Sequence, residues 1–116
     1  MTHQSAYLLA LCLTVVIEAP VYACLLRVMQ STPMPQGLAA GAGVNLVSHP
    51  IGFLVLFPLL ERPMGPFPAL AIVELVVVLV EAGLLFAVQR REALPICGIS
   101  YVANVASFSL GVLLLR

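Results

Sequence analysis

Three glutamates stand in stretches otherwise built from aliphatic residues: Glu18, Glu74 and Glu81. Two of them share the run "AIVELVVVLVEAGLLFAV", residues 71–88, which is long and apolar enough to cross a lipid bilayer. Insertion scales charge about 2.5–3.5 kcal/mol for one ionised carboxylate at the centre of a membrane helix. Three would together approach the whole net stability of a small protein, about 5–15 kcal/mol. Each glutamate must therefore be protonated, paired or open to water. Burial disfavours the charged form of a carboxyl, so a neutral glutamate hydrogen-bonded to an amide is a low-energy solution.

Asn45 and Asn104 are the amides placed to do this, with His49 as a third partner. His49 follows Asn45 by four residues, on the same helical face. It precedes Pro50, which lacks an N–H and frees the carbonyl of Leu46. Pro20, two residues after Glu18, does the same to Val16. Glu74 and Glu81, seven apart, are expected on one face of their helix. Two chemistries follow from this set. One is a proton or cation path through the glutamates, with His49 titrating nearby; the other is a hydrogen-bonded network that holds the helices in register.

Other chemistries lack their residues. One histidine with carboxylates offers few soft ligands for zinc or copper, so no metal and no other cofactor are expected. The chain has no Asp, no HExxH, no Ser/His/Asp arrangement and no phosphate-binding glycine loop, and we expect no enzyme. Cys12, Cys24 and Cys97 match no zinc or CxxC spacing and are expected to be small buried hydrophobes.

Composition dictates the elements that must carry these groups. Of 116 residues 62% are hydrophobic and 9% charged, with mean hydropathy +1.14. A soluble domain carries about 25% charged residues, so this chain lacks the polar surface to face water on all sides. A formal charge of zero removes the basic patch that nucleic-acid binding requires. The reading is one all-α integral membrane domain over 1–116, with spans at about 5–29, 38–60, 68–88 and 95–115. The N-terminus lacks a basic region and a small-residue cleavage site, so the first apolar stretch is expected to stay as a span. Short breaker-rich connections, "STPMPQG", "ERPMGPFP" and "QRREALP", predict an up-down four-helix bundle. Arg27, Arg90 and Arg91 against Arg62 and Arg116 put both termini outside the cytoplasm of a bacterial-type inner membrane.

The polar residues also predict an internal repeat. Glu18-Ala19 is followed by Arg27, and Glu81-Ala82 by Arg90 at the same spacing. The second and fourth spans both carry N-x-x-S-x-x-x-G, as Asn45, Ser48, Gly52 and as Asn104, Ser107, Gly111. Polar agreement inside apolar helices is harder to reach by chance than apolar agreement. The halves, about 1–60 and 68–116, would be two tandem hairpins related by a pseudo-two-fold axis along the membrane normal. The four-residue difference between the two offsets is assigned to a longer first connection. Ser48, Gly52, Ser107 and Gly111 form small-xxx-small patterns for close packing, and the expected contact is between spans two and four.

In length, span number and a first-span glutamate the chain resembles the small multidrug resistance transporters in outline. That resemblance would imply a dimer whose glutamate binds a proton or a cationic drug. Ala19-Pro20 beside Glu18, the absence of tryptophan, the added Glu74 and Glu81, and the N-x-x-S-x-x-x-G repeat depart from that family's pattern. No residue role is carried over. The functional expectation is transport or ion and proton handling by a homo-oligomer in the bilayer. The alternative is a non-catalytic subunit or assembly factor docked on other membrane subunits.

Overall fold

The computed structural model describes residues 3–90 and 93–114, and among them every element is helical. Helix α1 runs His3–Gln30, α2 Met34–Pro50, α3 Phe57–Met64, α4 Pro66–Gln89 and α5 Ala93–Leu114. A π-helical segment, Ile51–Leu56, joins α2 to α3, so residues 34–64 form one continuous rod. Four helices are thus long and apolar enough to cross a membrane.

The breakers act differently from one another. In "ERPMGPFP", expected as a loop of eight residues, the prolines are absorbed into helices and Gly65 alone makes the connection. Its φ of +87° suits glycine, because a side chain there would be strained. Pro66 then opens α4, where a missing N–H removes no intrahelical bond. Pro50 and Pro58 bracket the π segment. Each removes one i→i−4 bond, and the ladder closes instead through wider turns, as in the Phe57 N–H bond to the Gly52 carbonyl.

The rods form a ring in the order α1, α2–α3, α4, α5. Helix α1 packs on α2 and α5, and α4 packs on α5, on α2 and on the α3 end of the second rod. Spans two and four therefore lie diagonally, without backbone contact among the described residues, and the expected contact between them is corrected. The small residues of the second rod serve its ring neighbours instead. A Cβ at Gly37 would fall 2.8 Å from the Ala23 Cα, and one at Gly41 2.9 Å from the Ala19 Cα. Gly52 faces Val77 and Val73 of α4. Gly111 lies within α5, but its surroundings fall outside the described residues.

An apolar core fills the ring toward the end bearing the 31–33 and 90–92 connections: Tyr22, Leu26, Val44, Ala82, Leu85, Ile96, Ile99 and Ala103. The polar cluster lies next along the axis. Large apolar side chains such as Val16, Leu46, Leu54, Leu79 and Val105 cover the outside. Cys12, Cys24 and Cys97 are there too, exposed rather than buried as expected, because they stand on the outward faces of α1 and α5. The long dimension of 42 Å matches a bilayer with its headgroups, about 40–45 Å.

Candidate functional site

Asn45 and Asn104 sit at the same depth, each eleven residues into its helix, about 16 Å along the axis at the usual helical rise. Each donates from Nδ2 to the carbonyl four residues earlier, Asn45 to Gly41 at 2.8 Å and Asn104 to Ser100 at 2.9 Å. This local bond fixes the amide before any partner from another helix arrives. Asn104 spends its second N–H on Glu81 Oε2, 2.7 Å away. The Ser107 hydroxyl, three residues on, donates to Glu18 Oε1. Thus α5 reaches both glutamates, one on each neighbouring helix.

Glu18 and Glu81 are fully buried, 0% exposed, and His49 comes in from α2 at 7%. His49 Nε2 lies 3.8 Å from Glu18 Oε1, and its ring stacks on Phe53 at 5.4 Å between centroids. One donor atom from each of Glu18, His49 and Glu81 lies within 4.8 Å of the other two. Ser48 is buried, and its hydroxyl has no hydrogen-bond partner among the described residues. Of the residues expected to act together, Glu18, Glu81, His49 and Asn104 converge, joined by Ser107, which was expected only at a packing face, and Asn45 is buried. Metal-ligand types also meet here, although residue types and spacing alone offered no reason to expect a metal.

Glu74 does not join them. It is half-buried and lines a groove of about 470 Å³ between α4 and α5, with Phe67, Leu75, Tyr101 and Phe108. Asn104 forms part of the same wall. The two glutamates of α4 are therefore split between the interior and the groove, and Asn104 borders both.

The Glu–Arg spacing does not mark equivalent positions. Arg27 lies inside α1, whereas Arg90 caps α4 in a left-handed conformation, φ 51°, donating its N–H to the Phe86 carbonyl. Helix α1 continues twelve residues past Glu18, to Gln30, and α4 eight past Glu81, to Gln89, so the four extra residues of the first half are one more turn of α1. That corrects their assignment to a longer first connection.

Two site residues were not anticipated. Tyr22, fully buried, donates to Ser100 Oγ at 3.2 Å, and Ser100 donates to the Val78 carbonyl at 2.8 Å. Ser100 could have been found, since Ser100, Asn104 and Ser107 share one helical face. Tyr22 follows Glu18 by four residues and offers the same signal on α1.

Buried polar atoms are left over. Among the described residues Glu18 Oε2, Glu81 Oε1, His49 Nε2, Asn45 Oδ1 and Asn104 Oδ1 have no hydrogen-bond partner. Unpaired buried polar atoms are uncommon and signal strain, a catalytic role or a missing ligand. No protein-family model matches the chain, and neither a curated protein nor a solved structure matches it.

Proposed function

We propose that the protein is an integral membrane bundle of up-down helices that handles small cations, the proton included, at the Glu18–Glu81 pair. The observation that supports this most is the meeting of two fully buried carboxylates and a histidine inside a ring of four apolar helices. Carboxylates in such a place are expensive, and intramembrane ionisable groups mark ion pathways. Asn104 and Ser107 each hold one oxygen of a glutamate, and the other oxygen of each has no partner among the described residues.

Helix α2 lies tightly on α1 at Gly37 and Gly41, and an apolar cluster fills the ring beside the glutamates, so a wide path through one chain has no room. We therefore place the working unit as a homo-oligomer, its lipid-facing surfaces continuous with the groove that holds Glu74. The matched bonds of Asn45 and Asn104 support a duplicated hairpin plan for the second and fourth spans. The second reading, a subunit docked on other membrane helices, draws support from the groove's apolar walls.

Reconstitution separates the readings. Proteoliposomes of the wild-type chain should pass protons or metal cations faster than empty vesicles, and Glu18→Gln or Glu81→Gln should abolish the difference. Equal flux in wild type and both variants removes the cation-handling reading.

A further inference from the structure

The pattern of satisfied and unsatisfied atoms is specific. Each buried glutamate has one oxygen fixed by α5: Oε2 of Glu81 by Asn104, and Oε1 of Glu18 by Ser107. In each the other oxygen has no partner, and His49 Nε2 has none. Three side chains from α1, α2 and α4 thus meet in a common interior, with one potential ligand atom of each within 4.8 Å of the other two. We propose that Glu18, His49 and Glu81 bind one divalent transition-metal cation of the zinc class.

Geometry, charge and ligand chemistry agree on that occupant. Tetrahedral zinc holds N and O ligands at about 2.0–2.2 Å, so neighbouring donor atoms stand about 3.4 Å apart. From 4.8 Å the cluster reaches that spacing by a contraction of about 1.4 Å, within the scope of carboxylate rotation. His49 Nε2 and Glu18 Oε1, 3.8 Å apart, are already close to it, Oε1 being the oxygen that Ser107 also holds. A divalent ion neutralises two carboxylates together, which removes the main penalty for holding them in an apolar interior. The imidazole selects a borderline metal over magnesium, which prefers six oxygens and retains its water. Asn104 and Ser107 then act as the outer hydrogen-bonding groups that orient carboxylate ligands. The groove lined by Glu74 and Asn104 offers a way in from the bundle surface.

The site deepens the cation-handling reading and uses the same residues, but it stands or falls on binding rather than on flux. The test is equilibrium dialysis of the chelator-stripped, detergent-purified chain against Zn2+ and, separately, Mg2+, with metal counted by mass spectrometry. One Zn2+ per chain is expected, with no Mg2+ at equal concentration. Glu81→Gln and His49→Gln should each weaken Zn2+ binding by more than the ~10–100-fold expected for the outer variant Ser107→Ala. A chain with Cys12, Cys24 and Cys97 replaced by serine should bind as the wild type does. Co2+ bound to the folded wild-type protein should give four-coordinate ligand-field bands without thiolate charge transfer, a readout independent of any variant's folding. Absence of stoichiometric Zn2+ in the wild type, thiolate bands, or unchanged affinity in both Gln variants overturns the site. Proton flux that persists in a chain binding no Zn2+ sinks the metal site and leaves the function above standing. Zn2+ binding without flux does the reverse.

Discussion

Asn104 holds Glu81 by a 2.7 Å hydrogen bond from an amide already anchored to its own helix at the Ser100 carbonyl. The bond couples α5 to α4 between two buried side chains. Asn104→Ala strips the carboxylate of its donor and should destabilise the protein by about 1–3 kcal/mol, the penalty for an orphaned buried group. The double variant Glu81→Leu/Asn104→Leu should recover most of that loss, because removing both partners is far less harmful than removing one. Thermal unfolding in detergent over the full double-mutant cycle measures the coupling.

Close packing of α1 on α2 depends on two missing side chains. Gly41→Val would drive new atoms into Ala19 and Tyr22, and Gly37→Val into Ala23. Each should cost about 1–3 kcal/mol by overpacking, or push the helices apart. A methyl group added at Gly43 would meet nothing within 4 Å, so Gly43→Ala should be neutral or stabilise by about 0.5–1 kcal/mol through helix propensity. Equal melting temperatures for Gly41→Val and Gly43→Ala would contradict this packing.

Tyr22→Phe removes one hydrogen bond and no volume. Ser100 keeps its bond to the Val78 carbonyl, so no buried group is stranded on α5. The expected loss is about 0.6 kcal/mol, the average for interhelical hydrogen bonds in membranes. A loss as large as that of Asn104→Ala would mean that the Tyr22 hydroxyl supports the glutamates directly.

Much of this arrangement was legible in the sequence, and the reasons are physical. A rare polar residue in an apolar helix must find a partner, so Glu18, Glu81, Asn104 and His49 could be named as a group from type and spacing alone. Helical phase gave Ser107 a place on the Asn104 face, though its partner, Glu18, is 89 positions away and invisible locally. The ring order of the helices was not legible. It depends on which rods approach closely, and the N-x-x-S-x-x-x-G pattern carries no information about whether a diagonal or a neighbour is met. The four-residue difference between halves was read into the connection, whereas helical continuity across Arg27 places it in α1. Proline rules failed at 61–68 because Pro66 and Pro68 stand in the first turn of α4, where proline starts a helix, and Pro63 is carried inside the last turn of α3.

Glu74 should behave unlike its neighbour. It lines the groove rather than the cluster, so Glu74→Gln should leave Zn2+ affinity unchanged while slowing the rate at which stripped protein loads the ion. Stopped-flow loading with a fluorescent zinc indicator reads both quantities. A loss of affinity matching that of Glu81→Gln would place Glu74 among the ligands instead.

The most direct measurement of the cation-handling role is flux and stability on the same Glu81→Gln preparation. Gln keeps the size of the side chain and its ability to accept from Asn104, but it carries no charge and cannot exchange a proton. Proteoliposomes under an imposed potential, with a pH-sensitive dye and a zinc indicator trapped inside, should show wild-type flux above empty vesicles. The variant should show none, with its melting temperature close to wild type. Flux retained in the variant, or a collapse of stability with no wild-type flux to lose, would contradict the role and leave Glu18 and Glu81 as a structural network.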